Sequence, residues 1–201
     1  MPLVLVPASR WDRWVANFVG SHGETPLTVE DGALGGRADD GSHFTARLPF
    51  ATSYAGPAEA GAFAAAAVAP EEWGVLLVRK GGFAVARLAG ADLVDHKIGR
   101  RHVQGRTKAG GQSQQRFARR RDNQARQAHE AAADHAARIL TGVPLVVTGG
   151  DRAAVDAVLA DPRLSRVTVV EPWLAVPDPR RAVLDRAILD ARAIAVEVVN
   201  A

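Results

Sequence analysis

Apolar positions follow two different periods along this chain, and the switches between them outline its elements. Trp11, Trp14, Val15 and Phe18 fall at three- and four-residue intervals. This spacing predicts an amphipathic helix over residues 8–20, stopped by Gly20, whose aromatic rings read as core rather than as a ligand platform. Residues 26–50 alternate apolar with polar positions and carry Gly and Asp pairs, the pattern of short strands joined by turns. Residues 57–69 are rich in alanine and read as a helix with Pro57 at its start. The run WGVLLVR (73–79) is a buried strand, and Lys80-Gly81-Gly82 turns it into a second, FAVARLA (83–89). Residues 92–98 extend this hairpin by a third strand. Further strands are expected at 145–148 and 167–171, and helices at 151–160 and 180–198. The resulting order is that of an α/β layer structure with a mixed sheet.

Between residues 99 and 113 the periodicity disappears. GRRHVQGRTKAGGQS combines glycines with many cations and reads as an exposed, mobile loop. The helical period then returns over 113–140, where Phe117, Ala125, Ala128, Ala132, Ala136 and Ile139 form a lean stripe and Ser113 suits the N-cap. Such a helix has about 28 residues and a length of roughly 42 Å. Charge sharpens this picture. The formal net charge is only +3, yet residues 96–126 hold ten basic side chains and one acidic. Arg116, Arg119, Arg120, Arg121 and Arg126 crowd the first half of the helix, where cations oppose the macrodipole unless an anion meets them. The density points to a polyanion, nucleic acid above all; the alternative is a solvated face that aids solubility, though such faces usually mix both signs.

Composition narrows the classes. Hydrophobic residues make up 47% of 201, enough for a sizeable core, and charged residues 23%, too few for wholesale disorder. No apolar run approaches the roughly 18 residues of a membrane span, and MPLVLVPASR lacks the basic start of a signal peptide. Cysteine is absent, which excludes disulfides, thiolate nucleophiles and Cys-based zinc sites and fits a reducing cytoplasm. Neither a G-x-S-x-G elbow, a Walker loop nor H-E-x-x-H is present. Asp39, Asp40 and His43 offer metal-ligating atoms but read better as a Gly-flanked turn. His129, Glu130, Asp134 and His135 are spaced so that they do not converge on one face of a helix. Thr148-Gly149-Gly150-Asp151 lies between a strand and a helix, where it either cradles an anion or makes a plain tight turn. The remaining candidate is Gly110-Gly111-Gln112, set in the basic loop directly before the arginine-laden helix.

The stretch KAGGQSQQRFARRRDNQ (108–124) resembles the catalytic loop and following helix of class-one eukaryotic and archaeal peptide-chain release factors, which carry G-G-Q-S-x-x-R-F-x-R. Gly110, Gly111, Gln112, Ser113, Arg116, Phe117 and Arg119 match it. The preceding hairpin and the following strand–helix–strand also suit that family's middle domain, so the resemblance covers about residues 70–200. It implies a ribonuclease-H-like mixed sheet with a long helix after an exposed GGQ loop. On this resemblance, residues 1–70 would form a small α+β extension and residues 71–201 the catalytic domain. Those release factors add a codon-reading domain with an N-I-K-S-type motif and a C-terminal partner domain, and neither is expected here. The chain thus looks like the compact, Vms-like branch of ribosome-rescue release factors, of the actinobacterial type.

The resemblance implies codon-independent hydrolysis of the ester joining a nascent peptide to tRNA. Gly110, Gly111 and Gln112 would be catalytic, with Gln114 the alternative glutamine because the motif's register varies in that branch. Arg100, Arg101, Arg106, Lys108, Arg116, Arg119, Arg120, Arg121 and Arg126 would bind RNA phosphates. The implied partners are the ribosome or its large subunit, rRNA and peptidyl-tRNA, with no membrane, no metal and no cofactor. Cleavage of the tRNA near its 3′ end, and non-enzymatic rRNA binding, are the alternatives.

Overall fold

The computed structural model describes residues 3–100, 127 and 129–201. In chain order its strands are β1 (Leu3–Val6), β2 (Leu27–Glu30), β3 (Ala33–Arg37), β4 (His43–Arg47), β5 (Glu72–Arg79), β6 (Gly82–Ala89), β7 (Asp92–Arg100), β8 (Leu145–Gly150), β9 (Thr168–Leu174) and β10 (Ile194–Val199). The helices are α1 (Trp11–His22), α2 (Ala60–Ala65), α3 (129–139), α4 (Arg152–Leu159) and α5 (Arg181–Ala191). Two compact units share these elements: Met1–Pro70 with Val170–Pro172 and Ile188–Ala201, and Glu71–Val169 with Trp173–Ala187.

The first unit is built on an antiparallel sheet of order β1-β10-β4-β3-β2. Its inward positions are set by register: Val6 faces Ile194, Val196 faces Ala46, and Ala46 faces Leu34. These meet Trp11, Val15 and Phe18 of α1 and Phe63 of α2 in one hydrophobic core. Trp11 is fully buried, stacks on Trp14 at 5.3 Å and meets Phe44 edge-on at 6.0 Å, so the aromatic stripe is core, as its spacing implies.

Three elements of this unit differ from the sequence expectation. Helix α1 continues through Gly20 to His22, and the stop is Gly23, whose φ of +94° suits a residue without Cβ. Helix α2 is only six residues long; Pro57 lies outside it, its carbonyl accepting the Tyr54 hydroxyl at 2.8 Å. Helix α5 ends at Ala191, and Ile194–Val199 is a strand instead of the last helical turns. The run IAVEVV alternates and is β-branched, and it buries Ile194 and Val196 in the first unit's core.

The second unit carries a five-stranded sheet of order β7-β6-β5-β8-β9. β5, β6 and β7 form an antiparallel meander, and β8 joins β5 in parallel, Trp73 opposite Leu145. Numbered within the unit the order is 3-2-1-4-5, that of a ribonuclease-H-like sheet. One face packs Leu76, Val78, Phe83, Val85 and Val146 against Ala132, Ala136 and Ile139 of α3 and Val155 and Val158 of α4. Trp73, Val75 and Leu77, on the opposite face of β5, are buried as well, which explains why β5 reads as an unbroken apolar run. The Trp73 indole donates to the Gly90 carbonyl at 2.8 Å, so its burial leaves no orphaned N–H. No helix among the described residues is long and apolar enough to cross a membrane.

Candidate nucleic-acid interface

The β5–β6 hairpin closes through a two-residue turn, Lys80-Gly81, because Arg79 pairs directly with Gly82. Gly82 in turn pairs with Arg100, the last residue of β7. A Cβ on Gly82 would run into the Gly99 carbonyl, and its φ of +152° is one that side chains disfavour. Glycine therefore lets β7 lie close to the hairpin and brings Arg100 to the same end of the sheet as Arg79 and Lys80. Val78 faces Gly150 across the parallel β5–β8 pair, and Arg152 follows two residues later. Four cations, Arg79, Lys80, Arg100 and Arg152, thus gather at one sheet end, and all four are exposed.

Their neighbours give each a distinct state. Arg79 Nη1 donates to the Val176 carbonyl at 2.9 Å, and its Nε lies 3.7 Å from Asp178. It fastens the segment after β9 to the hairpin, and its charge is partly matched. The Arg152 guanidinium lies 4.3 Å from the centre of the Trp173 ring, a cation–π stack that holds the group without using its in-plane donors. Lys80, Arg100 and Arg152 have no carboxylate partner among the described residues.

The Thr148–Asp151 stretch resolves in favour of structure. Gly149 and Gly150 belong to β8, where side chains would strike the Leu174 and Val78 carbonyls respectively. Asp151 N–H donates to the Val78 carbonyl at 2.8 Å, and its carboxylate accepts from Ala154 N–H at 3.4 Å as the N-cap of α4. The end of that helix is filled by the chain's own carboxylate. Asp40 is likewise employed in its turn: Oδ1 accepts from Ser42 N–H at 2.8 Å, and Oδ2 lies 2.8 Å from His22 Nδ1. These bonds, His22 first, hold the Asp40 carboxyl below its ordinary pKa.

On α3 the polar residues also face different partners. His135 stacks on Phe83 at 5.6 Å, and Asp134 accepts from Arg163 at 2.7 Å. Arg163 also grips Asp161 with a two-pronged contact at 2.9 and 2.7 Å, which pulls the Asp161 carboxyl down to about 2 and raises Arg163.

Of the site residues read from the sequence, Arg100 stands at the cationic sheet end described above. Gly110, Gly111, Gln112, Gln114, Arg101, Arg106, Lys108, Arg116, Arg119, Arg120, Arg121 and Arg126 lie outside the described residues. The segment that holds them begins directly after Arg100. Sequence reading passed over Arg79, Lys80 and Arg152. Their one advance signal was the basic hairpin turn, Arg79-Lys80-Gly81-Gly82.

Comparison with known proteins bears on this segment. A family model described as an Actinobacteria/chloroflexi VLRF1 release factor matches residues 71–197. No curated protein matches the chain. Among solved structures it is similar to one titled "Vms1 mitochondrial localization core", at 11% identity and a TM-score of 0.40, over 96% of this chain and 84% of that one. It is also similar to Archaeoglobus fulgidus Pelota, at 10% identity and a TM-score of 0.26, over 94% of this chain and 62% of that one.

Proposed function

The chain belongs to the Actinobacteria/chloroflexi VLRF1 release-factor family, whose model spans 71–197, and from that membership we propose that it frees nascent peptides from ribosomes by hydrolysing peptidyl-tRNA without reading a stop codon. The family match is the observation that carries this reading. The Gly110-Gly111-Gln112 sequence within the matched region supplies the chemistry.

The bond to be cut is the ester between the peptide carboxyl and the terminal ribose of tRNA. Water adds to the carbonyl carbon, negative charge builds on the carbonyl oxygen, and the ribose oxygen leaves with a proton. A glutamine side chain does not titrate, so Gln112 serves neither as acid nor as base. Its backbone N–H donates to the developing oxyanion, and its side-chain amide orients the attacking water. Gly110 and Gly111 allow the backbone to approach RNA without a Cβ. Arg100, Arg101, Arg106, Lys108, Arg116, Arg119, Arg120, Arg121 and Arg126 bind rRNA and tRNA phosphates. The large ribosomal subunit supplies the rest of the site.

The test uses ribosomes carrying peptidyl-tRNA with no stop codon, following both free peptide and tRNA length. The wild-type chain releases peptide and leaves tRNA intact, and Gln112→Ala, which keeps the backbone N–H but removes the amide that orients the water, lowers the rate by about a hundredfold, the scale for a misplaced reacting group. If Gln114→Ala is the inactive variant, the catalytic glutamine is Gln114. Shortened tRNA would make the chain a nuclease, and bound but unchanged complexes would make it a binding protein.

A further inference from the structure

The second unit's sheet is electrically lopsided along its strands. At one end, β5 and β7 begin with Glu71, Glu72 and Asp92, and the cation nearest them, Arg87, is taken up by Glu72 through two bonds at 2.9 and 3.0 Å. At the other end stand Arg79, Lys80, Arg100 and Arg152. The two ends are about 23 Å apart, seven strand steps. At the cationic end Asp178 lies beside Arg79 and Asp151 caps α4, which leaves Lys80, Arg100 and Arg152 without a carboxylate partner among the described residues. Positive charge on rigid backbone loses little freedom when an anion arrives.

We propose that Lys80 at the hairpin tip and Arg152 on its Trp173 platform, beside Arg79 and Arg100, form a docking surface for RNA phosphates. The chemistry that fits is a phosphodiester backbone. Lys80 offers a compact, mobile charge, and Arg152 offers a flat fork already held by the indole and with its edge free for two phosphate oxygens. Protein partners fit less well, since the described cluster presents cations without an apolar centre. The surface orients the body of the chain on RNA, and the acidic end keeps it from binding in reverse. This inference deepens the release reading, which supplies the ribosome as the source of the RNA.

The experiment measures binding of the full chain to purified large ribosomal subunits, and separately to uncharged tRNA, between about 50 and 200 mM salt. Each cation that neutralises a phosphate adds about one to the slope of log K against log salt. The double variant Lys80→Gln/Arg152→Gln is expected to bind more weakly and to lose about two from that slope. Lys80→Arg/Arg152→Lys is expected to keep the slope near wild type. Loss on subunits assigns the contact to ribosomal RNA, and loss on tRNA alone assigns it to tRNA; both support the surface. An unchanged slope on both, or equal loss in the charge-preserving variant, overturns it. Gln112→Ala separates the two readings. If wild type releases no peptide yet the slope still falls in the double variant, the release reading fails and the surface stands.

Discussion

Two adjacent glycines in the β5–β6 turn make a sharp test of how the sheet end is built. Gly81 and Gly82 look interchangeable in sequence, but their surroundings differ. A Cβ on Gly81 would run only into the Asp178 carboxylate, with Oδ2 nearest and Cγ 2.5 Å away, and that side chain can swing aside. The loss is the exposed Arg79–Asp178 pair, worth about 0–1 kcal/mol, offset by about 0.4–1 kcal/mol from a stiffer unfolded chain. Gly81→Ala should therefore change stability by no more than about 1 kcal/mol in either direction.

A Cβ on Gly82 instead strikes backbone: it runs into the Gly99 carbonyl and comes 3.3 Å from Arg100 Cα. The strained φ costs about 1–3 kcal/mol, and moving β7 away sacrifices a terminal ladder bond of about 1 kcal/mol. Gly82→Ala should cost about 2–4 kcal/mol. Urea unfolding followed by far-UV circular dichroism would register it as a midpoint lowered by about 1 M or more. Peptide release should fall in the same variant, because this pairing sets the place of Arg100. Equal effects from the two substitutions would refute the account of the turn.

Other expectations follow from the same geometry. Ile139→Ala, at a position 2% exposed on α3, should cost about 2–5 kcal/mol and lower the melting temperature; a cost below 1 kcal/mol would mean that α3 is not seated as described. Asp161, Asp40 and Glu72 all have lowered carboxyl pKa values, chiefly through Arg163, His22 and Arg87 respectively. The stabilisation they give is complete above the ordinary carboxylate range and fades as pH falls from about 4 toward 2. Melting curves across that window should decline less steeply in Asp161→Asn, and an unchanged profile would remove Asp161 from the cause. Trp73→Phe forfeits the bond to the Gly90 carbonyl and opens space in a filled core, so denaturant unfolding should register about 1–3 kcal/mol of loss.

The second unit was largely legible because its signals agree. The β5–β6 hairpin has an apolar run, a basic glycine turn and a second apolar run, and burial on both faces accounts for each. The C-terminal region misled because DRAILDARAIAVEVV contains no glycine or proline between helix and strand. Helical spacing passes into alternation there without punctuation, and only pairing with β1 and β4 decides where the helix stops. Residues 57–69 misled for the opposite reason: alanine favours helix, but Phe63 is the one large side chain of α2 that the core takes in. At the candidate site Arg100 was legible from local charge density. Lys80 and Arg152 were not, since 72 positions separate them and only the order β6-β5-β8 brings them to one end.

The place of β10 also bears on how this chain is made. It lies between β1 and β4, so a sheet whose earlier strands are residues 3–47 is completed only by residues 194–199. Until residues 194–199 emerge, Val4 and Ala46 have no strand between them, and the first unit waits with two open edges. The meander of β5, β6 and β7 needs no such wait, since each strand pairs with one already made. The β5–β6–β7 meander is thus expected to set before the sheet that holds β1, although β1 is synthesised earlier.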